Sequence, residues 1–366
     1  MTLVSVVLPV YQGASLIGGA LDCLAAQTHR PLEILVVDDA SSDGTPAVVE
    51  DWRACHPDLS VRLPDLSVRL PDLSVRLIVR PENGGPGVAR NDALALARGA
   101  YIAFLDADDR CVPWRLARQL ARLEADPGLG SVGAWYDMVD AGGAPLAARR
   151  LSATAGEMAW AALIHPPFLL STLMTRRALC RPGIFAPRHQ GEDAPAQRRL
   201  LWQAPAAMIE EVLVTYRTDP HRPQDRRMGV AMAEDLAPLT GPLSAAEAWV
   251  LHDALLAFPN RVSPAAIAAV SGLFALLGVF RGLRPAWMTR PEYNRLFEGY
   301  LDLAAPFLAA HGEALLAPPS PQAPRVAPWM GPWEAEWRAL AGDSGRPRPK
   351  EIFPAAGGDS PSKLSG

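Results

Sequence analysis

Several common signals are missing from this 366-residue chain, and each absence removes a class of function. Cysteine is scarce: Cys23, Cys55, Cys111 and Cys180 lie far apart with no C-x-x-C pair. That spacing indicates neither a zinc knuckle nor a disulfide framework, and it fits a reducing compartment. A basic excess is missing as well, since the formal charge is −4. No field is available to hold a phosphate backbone by counterion release, so nucleic acid is not an expected partner. The seven histidines show no H-x-x-x-H or other metal spacing.

The longest apolar run, Ala265 to Phe280, falls short of the roughly 20 residues a bilayer span needs and contains Ser271, Gly272 and Gly278. It reads as a buried or interfacial helix, serving either a peripheral membrane contact or a homodimer face. Met1 to Val10 enters an apolar strand-like run without a basic segment or cleavage site, so no secretion signal is read. The expected location is cytoplasmic, or peripheral at the inner face of the membrane.

Strand one leads into Pro9-Val10-Tyr11-Gln12-Gly13-Ala14-Ser15, with no G-x-G-x-x-G, which argues against a dinucleotide-binding dehydrogenase. No Lys or Arg occurs before Arg30, which argues against the basic phosphate loop of a sugar-nucleotide pyrophosphorylase.

What is present is a chain with 49% apolar and 20% charged residues, the composition of a folded protein, and long enough for one large α/β domain plus an appendage. Short β-rich runs alternate with helical patterns, the mark of βαβ units and a mainly parallel sheet. Strands are expected at Leu3 to Val10, Leu32 to Val37, Val75 to Val79 and Tyr101 to Leu105. Helices are expected at Ser15 to Ala26 and Val88 to Ala97, the latter after a Gly-rich turn at Asn83 to Gly87.

The heptapeptide Pro-Asp-Leu-Ser-Val-Arg-Leu occurs three times, at 57–63, 64–70 and 71–77. Only the third copy continues into Ile78-Val79, so it is expected to supply the strand while the other two form a surface insertion. From about residue 226, Ala/Leu-rich patterns predict a helical appendage to 317, followed by a Pro/Gly-rich tail over 318–366 that is expected to be disordered; its last stretch, Gly342 to Gly366, has almost no apolar residues, while Trp329, Trp333 and Trp337 offer rings that could dock on the folded body.

Ligands of open α/β sheets bind beyond the carboxyl ends of the strands. Pro9-Val10-Tyr11, Asp38-Asp39 and Asp106-x-Asp108 all lie at such ends. Two carboxylates two residues apart on an extended segment point the same way and suit a divalent cation, Mn²⁺ or Mg²⁺, that leaves positions open for a diphosphate. Asp38-Asp39 serves equally as a turn and helix cap or as a hydrogen-bonding pair for a base or ribose. Arg90 and Asn91 open a helix and either brace it or face a ligand.

Several ordered pieces together resemble the family 2 glycosyltransferases of the GT-A fold over about residues 3 to 222. They are Val6 to Tyr11, Gln27-Thr28, Glu33 to Thr45, Asn83-Gly84-Gly85, Ala89-Arg90-Asn91 and Gly99 to Asp109. The resemblance implies a Rossmann-like, mostly parallel sheet flanked by helices over residues 1–225. It implies an inverting transfer of sugar from a nucleotide-diphosphate sugar, a UDP-sugar foremost, to a hydroxyl on a saccharide or glycolipid, in polysaccharide or glycoconjugate synthesis. Pro9, Val10, Tyr11, Asp38, Asp39 and Arg90 would line the donor site, and Asp106 and Asp108 would take the diphosphate and its metal. Gly191-Glu192-Asp193 resembles the segment of the catalytic base, with Asp193 as the base and Glu192 beside it. An acceptor hydroxyl is a poor nucleophile at neutral pH and gains from such a carboxylate.

The chain departs from the family pattern at Gln12, where Asn is common, and at Ala194-Pro195, where an aromatic residue is common. Tyr216, Arg217 and His221 resemble the Tyr-Arg-x-x-x-His end of such domains. The alternative reading is a noncatalytic nucleotide-sugar-binding or scaffolding member of the same fold.

Overall fold

The computed structural model describes residues 2–56, 73–150, 152–162, 166–218, 285–293 and 295. The chain divides into two compact units, Met1–Ala231 with Pro285–Met288, and Met232–Arg284 with Thr289–Gly366. Nearly all described residues belong to the first. The first two heptapeptide copies, the helical appendage with its 265–280 run, His221 and the 318–366 tail lie outside the described residues.

The first unit is built on a nine-stranded sheet flanked by helices. Its elements run β1 (Val4–Val10), α1 (Ile17–Ala25), β2 (Leu32–Asp38), α2 (Thr45–Ala54), β3 (Leu73–Val79), α3 (Pro86–Leu96), β4 (Tyr101–Phe104), β5 (Arg110–Cys111), α4 (Arg115–Ala125), β6 (Ser131–Val139), β7 (Pro145–Arg149), α5 (Ala155–Ala161), β8 (Met174–Arg176), α6 (Asp193–Gln203) and β9 (Ala206–Arg217). Strand order is β3-β2-β1-β4-β8-β6-β9-β5, with β7 on β6.

β1 and β2 are buried along their whole length, as near-continuous Val/Ile/Leu runs require when helices cover both faces. The third heptapeptide does supply β3, which pairs in parallel with β2 from Leu32↔Leu73 to Asp38↔Val79. Parallel pairing holds through β3-β2-β1-β4 and returns only between β6 and β9. β8 runs antiparallel to both β4 and β6, and β5 antiparallel to β9, so the second half of the sheet is mixed. β5 and β8 are only two and three residues long and are flanked by irregular segments, so they leave no apolar run to read.

Two polar side chains lock the parallel half. Glu33, fully buried on β2, accepts from Ser5 Oγ, from the Arg98 backbone N–H (2.6 Å) and Nε (3.0 Å), and from Gly99 N–H (3.2 Å). It thereby fixes the turn that feeds β4. Gln27, buried after α1, donates to Cys23 O (3.0 Å) and Val112 O (2.8 Å) and accepts from Leu116 N–H (3.0 Å), joining α1 to the start of α4. Among the described residues no helix is long and apolar enough to cross a membrane.

Removing the Glu33 carboxylate strands the buried Ser5 hydroxyl and Gly99 N–H and frees the exposed Arg98 from its tie to β2. Glu33→Ala is expected to lose about 2–3 kcal/mol of stability, read as a lower midpoint in urea denaturation; an unchanged midpoint would show that the Arg98 turn is held some other way.

Candidate active site

The carboxyl ends of β1, β2 and β4 open on one side of the sheet, and the loops that follow them are tied together. Gln12 and Ala40 both take left-handed backbone conformations, at φ 51° and 62°. Such conformations are uncommon outside glycine and persist where surroundings fix them. Here Gln12 N–H donates to Ser41 Oγ (2.8 Å), its side-chain amide meets Ser42 at Oγ (3.0 Å) and N–H (3.2 Å), and Ala14 N–H donates to Asp43 (2.9 Å). Gln12 therefore makes local loop bonds at the position where the family commonly has Asn. Pro9 and Val10 are buried in the strand end, whereas Tyr11 is 53% exposed.

Asp38 and Asp39 are both buried. Asp38 accepts from Ser41 N–H (3.0 Å), and its other oxygen has no partner among the described residues. Asp39 is more heavily engaged. Its Oδ1 accepts from Arg80 and from Gly84 N–H (3.0 Å), and its Oδ2 from Gly85 N–H (2.8 Å). A carboxylate oxygen accepts two bonds, so Oδ2 retains one lone pair for a further donor. Arg80, which sequence reading missed, also donates Nε to Asp92 (2.8 Å). Its only sequence signal is its place directly after β3, ahead of Pro81-Glu82-Asn83-Gly84.

β4 leads into Asp106-Ala107-Asp108-Asp109, which is not extended as the spacing argument assumed. Asp109 N–H donates to Asp106 O (3.1 Å), closing a turn, so the carboxylates gather by chain reversal and not by alternation along a strand. Asp106 N–H donates to Ser171 Oγ (3.0 Å), and Asp109, fully buried, accepts from Arg217 N–H (3.0 Å). Burial first, then Asp106, raises the pKa of Asp108; burial, Asp106 and Asp108 raise that of Asp109 well above the carboxylate range. The turn thus concentrates negative charge. No group of three or more His, Cys, Asp or Glu stands ready around one point among the described residues. Two carboxylates are nonetheless sufficient for a cation whose other positions go to phosphate and water.

The counter-charge is Arg90. Its Nη2 donates to Asp106 (2.7 Å) and its Nη1 to Glu192, and its guanidinium lies 5.6 Å from the centre of the Phe185 ring. Burial works against the charged form, but Asp106 and Glu192 outweigh it and the pKa rises. The neighbouring Asn91 donates to Phe185 O (2.9 Å) and accepts from Gly183 N–H (2.9 Å). One turn of α3 therefore holds both the acidic turn and the 183–192 segment.

The Gly-rich turn permits that approach. A Cβ on Gly85, at φ 84°, would stand 2.9 Å from Arg188 O, and one on Gly87 would collide with Ala186 O. Asp193, the first residue of α6, is half-buried, and burial followed by the adjacent Glu192 lifts its pKa to about 6. Of the residues expected at the site, Asp106, Asp108, Arg90, Glu192 and Asp193 are linked by contact or by electrostatic coupling. Asp38, Asp39, Pro9, Val10 and Tyr11 form the adjoining end around β1 and β2. Arg217 arrives through its backbone, and Tyr216 packs edge-on against Tyr136 at 6.1 Å.

The sequence model of the family described as glycosyl transferase family 2 matches residues 5–146. A succinoglycan biosynthesis protein, ExoO, of Rhizobium meliloti is 39% identical over 122 residues, covering 33% of this chain and 30% of that protein. A putative teichuronic acid biosynthesis glycosyltransferase, TuaG, of Bacillus subtilis is 33% identical over 118 residues, 32% of this chain and 40% of that one. The matches thus span less than half the length of these relatives. The S. aureus TarS fragment 1–349 in complex with UDP-GlcNAc shares the fold at a TM-score of 0.52 and 16% identity, over 94% of this chain and 93% of that one.

Breaking one side of a buried charge bridge leaves its partners uncompensated. Arg90→Met is expected to cost about 3–5 kcal/mol in chemical denaturation, with Arg90→Lys intermediate because a point charge does not reach both acids in one plane. Equal stability of Arg90→Met and the parent protein would overturn the bridging role.

Proposed function

We propose that this chain, which carries a glycosyl transferase family 2 domain over residues 5–146, moves a sugar from a nucleotide-diphosphate sugar onto an acceptor hydroxyl with inversion at the anomeric carbon. The observation that carries the reading is Arg90, which sets the acidic turn at Asp106 and the Glu192-Asp193 pair on the two ends of one guanidinium. A donor diphosphate and an acceptor base must stand on opposite sides of one reacting carbon, and a short rigid link between their carriers supplies that spacing.

In this assignment Asp106 and Asp108 hold a divalent cation, Mn²⁺ or Mg²⁺. When bound, it would neutralise charge growing on the leaving diphosphate. The surplus of ionisable carboxylates, with the pKa values of Asp108 and Asp109 pushed up, is the feature of the turn that fits a cation. Tyr11, Asp38 and Asp39 form the nucleoside end on the strand floor of Pro9 and Val10, with Arg80 holding the Asp39 carboxylate in place. Asp193 takes the acceptor proton as the hydroxyl attacks in line with the departing phosphate. Glu192 shares the segment but is held by Arg90, so it orients Asp193 and raises its pKa. The succinoglycan and teichuronic acid biosynthesis relatives support a role in polysaccharide synthesis, with a hydroxyl on a saccharide or glycolipid as the acceptor in this reading. The UDP-GlcNAc held by TarS makes UDP the first nucleotide to test.

Titration calorimetry with UDP, GDP and dTDP, with and without Mn²⁺, is expected to show metal-dependent binding of one nucleotide and its loss in Asp108→Ala. Absence of binding to all three would favour a scaffolding role. Asp193 works as a base only when ionised, and its pKa near 6 lies above the ordinary carboxylate value. Turnover is therefore expected to be flat above about pH 7 and to fall as pH drops through about 6. Asp193→Asn should keep nucleotide affinity and lose about 10²–10⁴-fold in turnover; near-normal turnover would remove Asp193 from the role.

A further inference from the structure

We infer that Cys23 and Cys111 form a redox site, in which hydrogen peroxide converts the two thiols into an intramolecular disulfide joining α1 to β5. The residues are 88 apart in sequence, yet their sulfurs face each other at 3.4 Å. That separation is van der Waals contact between unbonded sulfurs, and a disulfide needs them to close to about 2.05 Å. Cys23 is half-buried and Cys111 buried; the exposed Cys55 and the buried Cys180 have no such partner.

The surroundings favour a thiolate at Cys111. Gln27 Nε2 points at its sulfur from 3.4 Å. Arg115, fully buried, gives Nε to Gln119 Oε1 (3.1 Å) and Nη2 to Phe104 O (2.8 Å). Its Nη1 has no hydrogen-bond partner, and among the described residues it makes no ion pair with a carboxylate. A buried guanidinium is costly unless negative charge stands near it. For Arg115 the Cys111 sulfur is the foremost such group, followed by Cys23 and Asp109, and burial still holds the guanidinium pKa below its usual value. The contact with Cys23, in which either thiol can be the donor, is the largest influence lowering the Cys111 pKa, Arg115 and Arg110 add to it against the effect of burial, and the result is about 7. The Cys23 thiol is pushed upward and keeps its proton. One member of the pair is thus the nucleophile and the other the resolving thiol.

The chemistry balances with peroxide as the two-electron oxidant. The Cys111 thiolate attacks one peroxide oxygen, the O–O bond breaks, and hydroxide leaves to be protonated to water. Cys111 is then a sulfenic acid. Cys23 sulfur attacks that sulfur, the S–O bond breaks, and the hydroxyl leaves with the Cys23 proton as a second water. Two thiols and one peroxide become one disulfide and two waters.

Fully reduced, full-length protein exposed to a modest excess of hydrogen peroxide should lose two of its four titratable thiols. Non-reducing peptide mapping should find the Cys23 peptide linked to the Cys111 peptide, released by dithiothreitol. Cys23→Ser, which lacks the resolving thiol, should accumulate a Cys111 sulfenic acid that dimedone traps. The proposal falls if Cys55 is oxidised while Cys23 and Cys111 stay reduced, or if wild-type Cys111 advances to sulfinic acid without the cross-link. It also falls if the serine variant, folded by circular dichroism, yields no dimedone adduct at Cys111.

Discussion

The arrangement of this site depends on one buried cation. Arg90 sits on α3 with its guanidinium shielded from water, and a charge in that position persists only when anions and hydrogen bonds replace the lost hydration. Asp106 and Glu192 provide them from opposite sides, and the Phe185 ring covers part of the guanidinium. The dependence runs both ways. Without the arginine, Asp106 and Glu192 would add their charges to those of Asp108, Asp109 and Asp193 in a region already poor in water. The acidic turn and the start of α6 can approach each other because this group stands between them.

That requirement reaches back into the backbone. For Arg90 to meet Glu192, the 186–192 segment must lie directly on the turn that starts α3, and there only glycine leaves room. Gly85 adopts a positive φ and faces Arg188 O, Gly87 faces Ala186 O, and Asn91 pins the Gly183 to Phe185 stretch one residue past the arginine. The parallel half of the sheet, stiffened by Glu33, supplies a fixed base from which α3 projects. The segment before the antiparallel β8 brings Ser171, and the end of the long β9, which runs parallel to β6, brings Arg217, against the acidic turn. Residues separated by as many as 108 positions, as Arg217 and Asp109 are, thus converge on one short loop.

This pattern explains what could be read in advance. Strands β1, β2 and β4 announced themselves because a parallel strand covered on both faces needs an unbroken apolar run, and acidic residues at the ends of such runs stand out. The third heptapeptide was recognisable as β3 because Ile78-Val79 extends it to the length of β2. Helix α3 was legible too, but the role of Arg90 was not, since its two partners are 16 and 102 residues away and nothing local distinguishes a bracing arginine from a surface one. Arg80, Asp109 and Ser171 escaped for the same reason. The Asp106-Asp108 spacing was noticed for a geometry the chain does not adopt; the residues are adjacent through a turn. The contact of Cys23 with Cys111 left no trace in their spacing.

The charge distribution ties the two halves of the proposed reaction together. Five carboxylates, Asp106, Asp108, Asp109, Glu192 and Asp193, lie in one electrostatic neighbourhood, and the buried Arg90 bridges only two of them. A diphosphate approaching such a surface meets repulsion unless positive charge enters with it, so in the proposed reaction the acidity of the turn would make binding of an anionic donor depend on a divalent cation. The same excess acts on Asp193. Burial and the neighbouring Glu192 raise its proton affinity, while Arg90 limits the rise, leaving a carboxyl that is ionised near neutral pH yet more basic than an exposed one. A general base works best with a pKa a little below the working pH. In the proposed reaction Arg90 would therefore moderate the base Asp193 by its own charge and hold the donor end through Asp106, so that a change at this residue would alter both together.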